Sequence, residues 1–396
     1  MRSNWVETTL GDVLTERRET PAEHDLMLGK IRVIAKIGFS EGQIEFRNDT
    51  KTKTKMILAS PGDLVLSGIN AAKGAIAVYG EENTHPIAAT IHYSAYIPNK
   101  EKVDVKFLWW LLRSERFRDT LLEYVPGGIK TELKASRFLP LPILIPELNE
   151  QRRIVGRIEV LAGKVEQARR LRETAVAQTN ALLASYISKF LNQFPLNGKL
   201  GNILKEKPRN GWSPRCDNAE DGTPVLTLSA VTGFQYDETA FKRTSLSTFP
   251  DKHYWLQKDD LLMTRSNTLE LVGHAAIYNG NPSPCIYSDL MMRVPVDESV
   301  ASKKFVHWWL QSAPVRDYIM RSAKGTSPTM KKISQKTVID IPFPENISLN
   351  KQKEVVNQLD QLHSKIAELH HHQTKAQAEI NALLPAILDK AFQGEL

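Results

Sequence analysis

Phe107-Leu108-Trp109-Trp110-Leu111-Leu112-Arg113-Ser114 recurs as Phe305-Val306-His307-Trp308-Trp309-Leu310-Gln311-Ser312. The two stretches stand 198 residues apart, and the same offset carries Arg118-Asp119 to Arg316-Asp317. Further on, Ala181-Leu182-Leu183 returns as Ala382-Leu383-Leu384 at an offset of 201. Solenoid and propeller repeats have periods of roughly 20–50 residues. The far longer period here marks two copies of a whole domain together with whatever joins them. Two copies in one chain suit a task with two similar but non-identical targets.

Outward from the repeat, each half has the same order. Short apolar runs precede it: Asp63-Leu64-Val65-Leu66-Ser67 and Ala75-Ile76-Ala77-Val78-Tyr79 in the first half, Asp260-Leu261-Leu262-Met263-Thr264 and Ala275-Ala276-Ile277-Tyr278 in the second. Flanked by Gly, Pro and Asn, runs of this length predict strands. The Trp-rich segments, 107–121 and 305–321, predict amphipathic helices. A glycine loop follows, Gly127-Gly128-Ile129-Lys130-Thr131 or Gly325-Thr326-Ser327-Pro328-Thr329, and then Leu141-Pro142-Ile143-Leu144-Ile145-Pro146 or Ile341-Pro342-Phe343-Pro344. Proline there blocks a helix and marks a boundary.

Beyond those prolines the period changes. Apolar residues fall at Ile154, Ile158, Leu161 and Val165, and again at Val355, Leu359, Leu362 and Ile366, in steps of 4, 3 and 4. This heptad spacing places one apolar seam on a long helix, and Leu182 and Leu383 extend it. A helix of about forty residues is about 60 Å long and cannot hide its seam alone, so the two are expected to pack as an antiparallel pair. Pro385 is expected to kink or end the second helix near Leu384. The expected architecture is an α/β (α+β) domain at 1–147, a helix at 148–196, a second domain at 197–346 and a second helix at 347–396. The helix pair would give the molecule a pseudo-two-fold repeat.

The composition, 41% hydrophobic and 24% charged, is that of a soluble globular chain. No stretch approaches the roughly 18 apolar residues of a membrane span, and the N-terminus does not resemble a signal peptide. Cys216 and Cys285 are the only cysteines, too few for a disulfide framework; reduced thiols and a cytoplasmic location are expected. A net charge of +7 and a pI near 9.1 permit nucleic-acid binding without establishing it.

The layout resembles the specificity (S) subunit of type I restriction–modification systems along the whole chain. The pieces that carry the resemblance are the exit Ile145-Pro146-Glu147-Leu148-Asn149-Glu150-Gln151-Arg152-Arg153-Ile154-Val155, the ending Leu388-Asp389-Lys390-Ala391-Phe392-Gln393-Gly394-Glu395-Leu396, and Asp260-Leu261-Leu262-Met263-Thr264-Arg265-Ser266-Asn267 followed by Glu270-Leu271-Val272-Gly273. The resemblance implies two target-recognition domains, each reading one half of a bipartite site in double-stranded DNA, on a helical spacer that docks two methyltransferase subunits. The chemistry would belong to those partners and to restriction subunits, with S-adenosylmethionine, ATP and Mg bound there and no cofactor in this chain.

Signatures of chemistry are missing or weak. There is no P-loop and no Pro-Pro pair, hence no Asn/Asp-Pro-Pro-Tyr motif of amino-methyltransferases. Glu132-Leu133-Lys134 and Asp49-Thr50-Lys51 match only the final triplet of a nuclease motif. His370-His371-His372 point about 100° apart on a helix and share no face, so no metal site is expected.

The candidate DNA contacts lie in loops. Lys130, Thr131 and Lys134 in the first half, and Lys324, Thr326, Ser327, Lys331 and Lys332 in the second, combine hydroxyls and ammonium groups with flexible backbone, which suits phosphate oxygens. Arg265-Ser266-Asn267-Thr268 follows a strand directly, and Arg and Asn can read guanine and adenine bidentately in the major groove. The first-half loop that matches it offers Asn70 and Lys73 instead. An ordinary capping loop or strand-end turn is the competing reading of each. Trp110 and Trp308 read as core anchors. Two rival functions remain: an enzyme with an unrecognised site, and a scaffold that binds only protein.

Overall fold

In a computed structural model of the chain, the residues described are 4–48, 54–124, 132–249, 251–327 and 329–396. The chain forms two compact units. One joins Met1–Glu173 to Gln373–Leu396, and the other is Thr174–His372.

In the first unit, a four-stranded sheet has the order Leu14–Glu16, Tyr93–Pro98, Leu64–Ser67, Ile76–Val78, and a second has Ile44–Phe46, Arg32–Ile37, Ile87–Thr90, Met56–Ala59. Leu64–Ser67 is buried on both faces because the strand lies between two cores. Leu64 and Leu66 pack with Tyr96, Phe107 and Leu108, while Val65 shares a core with Ile34 and Ile87 of the second sheet and with Ala77 of its own. Alternate residues on a strand face opposite ways, so a strand between two apolar layers becomes a continuous apolar run.

The second unit repeats this frame. Its four-stranded sheet has the order Arg209–Asn210, Met291–Arg293, Leu261–Thr264, Ala275–Ile277, beside a three-stranded sheet of Phe241–Thr244, Thr223–Leu226 and Ile286–Tyr287. Leu261 and Met263 face Phe305, Trp309 and Val315, whereas Leu262 faces Leu226 and Ile286. Among the described residues, each unit carries one parallel strand pair, with Arg32 opposite Ile87 and Val225 opposite Ile286.

The Trp-rich segments differ from the expectation of single helices. Each is two helices, Val105–Leu112 and Glu115–Tyr124 in the first unit, Lys303–Trp309 and Ala313–Ser322 in the second. The break falls at a serine: Ser114 Oγ donates back to Leu111 O and accepts from Phe117 N–H, while Ser312 holds the N-cap position of the next helix without a side-chain cap bond, and Pro314 stands in that helix's first turn. A hydroxyl that bonds nearby backbone competes with continuation of the helix. Trp110 and Trp308 are buried, at 7% and 5% exposure.

The long helices span Leu148–Leu191 and Leu349–Gln393. The second does not end at Leu384; it continues through Pro385 for eight more residues. An interior proline costs about 3 kcal/mol, and full burial of one large apolar side chain returns about 1.5–3 kcal/mol. Leu388, Ala391 and Phe392 are buried in the first unit's core, which offsets the loss.

Segments of the two helices pack antiparallel within each unit. In the first, Arg172 Nε donates to Gln373 O (2.7 Å), Arg153 Nη2 donates to Leu396 O (2.6 Å), and Ile154 and Ile158 share a core with Leu388 and Phe392. In the second, Ile187 and Leu191 share a core with Val355 and Leu359. Of the seam positions, Ile154, Ile158, Val165, Val355, Leu359 and Ile366 are buried and Leu161 and Leu362 half-buried. Leu182 and Leu383 do not lie in the seam: they stand 47% and 46% exposed, and their neighbours Leu183 and Leu384 pack instead. A strict heptad drifts about 20° per repeat on a straight helix, so the buried row moves over by one residue.

Candidate nucleic-acid interface

In the second unit, the strand Leu261–Thr264 delivers Arg265 to the surface half-buried, with its Nη1 3.4 Å from Asp289 O. The chain then pairs Ser266–Asn267 antiparallel with Lys331–Lys332, Ser266 opposite Lys332 and Asn267 opposite Lys331. Ile333 N–H donates to Arg265 O (3.0 Å). The two loops read separately from sequence are therefore one surface. Lys324 joins it from the other side, exchanging backbone hydrogen bonds of 2.9 and 2.8 Å with Lys332.

Lys324 and Lys332 thus stand directly opposite each other, a like-charge pairing that destabilises a ladder. Among the described residues, no carboxylate lies within 4.0 Å of the ammonium groups of Lys324, Lys331 or Lys332. Lys331 Nζ donates to Gly325 O (2.6 Å), which ties the glycine loop back on itself. Gly325 has φ +134°, and a Cβ there would lie 2.8 Å from Met330 O, so only glycine makes this turn freely. Lys324, Thr326, Ser327 and Lys332 are exposed, and Lys331, Asn267 and Thr268 are half-buried. Ser266 is fully buried, and its hydroxyl donates to Met330 Sδ (3.0 Å); it supports the turn from inside and is withdrawn from the candidate contacts.

The first unit builds the same junction with other side chains. Gly68 N–H donates to His92 O and Gly68 O accepts from Leu133 N–H, both at 2.8 Å, which matches the bond from Ile333 to Arg265. Glu132 therefore occupies the place of Lys332. Its carboxylate lies 3.1 Å from His92 Nδ1 and 3.7 Å from Lys134 Nζ. A Cβ at Gly68 would be crowded, meeting Glu132 Cγ at 3.1 Å and Leu133 O at 3.2 Å. Asn70, half-buried, opens the short turn Ala71–Lys73, which ends at Gly74 with φ +92°. Lys73 and Lys134 are exposed. A cavity of about 220 Å³ lies beside Asn70, walled by Lys36, Phe39 and Tyr93. Phe39, in the turn after the strand Arg32–Ile37, and Tyr93, at the start of the strand Tyr93–Pro98, reach it from places distant in sequence, and the sequence reading passed over both. Lys130 and Thr131 lie outside the described residues.

His274 lies beside the strand that leads to Arg265, its carbonyl accepting from Thr264 N–H (2.7 Å). Burial, and then the nearby Arg316, push its pKa down to about 4, and its Nδ1 accepts from Gly233 N–H (2.9 Å). His307 also has its pKa lowered by burial, with Nε2 3.1 Å from both Phe234 O and Ala275 O.

Two further residues stand out in the structure, although the sequence reading gave them no role. Gln151 and Gln352, 201 residues apart, open the two long helices and are 0% and 2% exposed.

No family model matches the chain. It is 25% identical over 358 residues to the type I restriction enzyme EcoKI specificity subunit of Escherichia coli K12, covering 85% of this chain and 75% of that one. It is 22% identical over 356 residues to the StySPI specificity subunit of Salmonella potsdam, with the same coverage. Among solved structures, a chain from a study of complex assembly and conformational transition of the type I R-M system aligns with TM-score 0.77 and 21% identity, over 100% of this chain and 99% of that one. The HsdS subunit of Thermoanaerobacter tengcongensis aligns with TM-score 0.59 and 20% identity, over 100% and 98%.

Proposed function

We propose, from the premise that the chain is the specificity subunit of a type I restriction–modification system, that it reads a bipartite site in double-stranded DNA through one surface on each unit. The observation that carries this is the lysine ladder of the second unit. Opposed, unneutralised ammonium groups on a glycine-tied turn are costly in the free protein and favourable against a phosphate backbone, whose oxygens take half or more of protein–DNA hydrogen bonds. Arg265 and Asn267, carried by the same ladder, would then supply the base readout.

The junction is common to both units and its side chains are not. Glu132 stands at the position of Lys332, and Asn70 and Lys73 occupy the loop that matches Arg265–Thr268. A common frame with divergent tips is what two different half-sites require. The chain itself is a recognition subunit without chemistry of its own. Methyl transfer and cleavage belong to methyltransferase and restriction subunits, which would bring S-adenosylmethionine, ATP and Mg. Exposed apolar residues on the long helices, Val160 and Leu171 among them, offer a docking surface for the methyltransferase.

The deciding experiment is to express the chain with its methyltransferase and map the methylated motif. A two-part motif that disappears when this chain is omitted supports the reading. Methyl transfer or cleavage by the purified chain alone, or binding to DNA that does not depend on salt, would overturn it.

A further inference from the structure

The two buried glutamines make the same hydrogen bonds in both units. Gln151 Nε2 donates to Lys102 O (3.1 Å) and Pro146 O (2.8 Å), and its Oε1 accepts from Asp104 N–H (2.8 Å). Gln352 Nε2 donates to Val300 O (3.2 Å) and Ile347 O (2.9 Å), and its Oε1 accepts from Ser302 N–H (2.8 Å). Each amide thus uses both of its N–H donors and one lone pair of its oxygen on three backbone groups. Asp104 and Ser302 are the caps of the helices Val105–Leu112 and Lys303–Trp309. Each glutamine therefore joins three things: the proline-marked exit of a domain, the first turn of a long helix, and the cap of the helix on which that domain's core is built.

A second link recurs about two turns further along. Lys106 Nζ meets Glu159 Oε1 at 2.9 Å, and Lys304 Nζ meets Asp360 Oδ2 at 3.1 Å. In the second unit Trp308 Nε1 also donates to Asp360 Oδ1 (2.8 Å). The recurrence keeps the offsets of the duplication: 198 residues on the domain side, from Lys106 to Lys304, and 201 on the helix side, from Glu159 to Asp360. An apolar contact alone is non-directional and lets packed elements slide or rotate. Three hydrogen bonds at the pivot and an ion pair two turns away fix both the origin and the angle of the helix on its domain. A packed interior tolerates an unpaired amide poorly, so the glutamine holds one geometry rather than a range.

We infer that Gln151 and Gln352 are positioning residues that set the angle at which each recognition domain is carried on its long helix, and through it the number of base pairs between the half-sites that the protein accepts. They touch no DNA. The inference rests on the proposed function, since a gap exists only if two half-sites are read.

The test compares wild type, Gln151→Leu and Gln352→Leu, each assembled with the methyltransferase, on duplexes bearing the wild type's own mapped motif with its gap unchanged or altered by one base pair. The expected result is unchanged half-site bases with the preference for the native gap reduced at least tenfold. Phe138→Leu, in the first unit's core and away from the helix start, is the control: it lowers Tm and leaves the gap preference intact. Should either leucine variant fail to fold, Lys106→Glu and Lys304→Glu decide. Both sites are exposed, and the reversed charge repels Glu159 or Asp360, so a drop of about threefold in gap preference is expected. Folded variants, leucine or glutamate, that keep the wild-type gap preference overturn the inference. A wild-type complex that methylates no bipartite motif overturns the proposed function instead.

Discussion

Lys332 and Glu132 occupy matching places in the two units with opposite charge, so the surfaces are expected to respond differently to salt. Lys332→Ala should weaken binding to all DNA sequences alike and lower the slope of log K against log salt by about one. Arg265→Ala should cost roughly 1–3 kcal/mol on the cognate site and relax specificity at one position; equal losses on cognate and random duplexes would assign Arg265 to phosphate contact. His274 gives the second unit a pH dependence. Its folded pKa, about 4, lies below the ordinary value of about 6.5, so the unfolded chain binds the proton more tightly between those values. Stability is complete above about 6.5 and falls as pH drops towards 4. Thermal unfolding at pH 7.5 and 4.5 should therefore show a smaller loss of Tm for His274→Gln than for wild type. The loss should not vanish, because His307 is shifted in the same direction.

At the scale of elements, the duplication is kept by devices rather than by composition. A strand between two cores, a serine that divides the Trp-rich segment, and a glutamine at the start of each long helix recur in both units. The buried row of the long helices is the element most exposed to misreading, and the two candidate rows differ measurably. Ile187→Ala, which opens the second unit's core, should cost about 2–5 kcal/mol, whereas Leu182→Ala should stay within about 0.5 kcal/mol. Chemical denaturation of the two variants distinguishes the rows. Phe392→Ala should cost about 3–5 kcal/mol, since Phe392 packs edge-on against Phe107 with ring centroids 5.5 Å apart and holds the turns beyond Pro385 in place.

For the whole molecule, two units with their own cores predict exchangeable specificity. Replacing 197–345 with the corresponding domain of another specificity subunit should change one half of the methylated motif and leave the other; a change in both halves would refute independent reading. Four residues inserted near Thr174, where one unit gives way to the other, lengthen the helix by about 6 Å. At about 3.4 Å per base pair, the preferred gap should grow by one or two pairs with the half-site bases unchanged. The insertion also turns the following helix by about 40°, so some affinity should be lost. Motif mapping of the insertion variant checks this: an active protein with an unchanged gap would show that the helices are not the ruler.

Periodicity alone determined the duplication, the strands at 64–67 and 261–264, and the existence of both long helices, because burial on one or both sides of an element is written directly into apolar spacing. It also pointed to the loops at 265–268 and 324–332, through their glycine, lysine and hydroxyl content. That these loops form one ladder, that Ser266 turns inward beneath Met330, and that Glu132 replaces Lys332 were decided only by tertiary structure, since pairing between segments some sixty residues apart leaves no local pattern. The seam failed at Leu182 and Leu383 for a related reason: a 3.5-residue repeat and a 3.6-residue helix drift apart, and what each turn packs against selects the row. The helix does not end at Pro385, one of the two outcomes expected there, because proline's local cost is legible in sequence, while the burial of Leu388 and Phe392 that outweighs it exists only once the chain has folded.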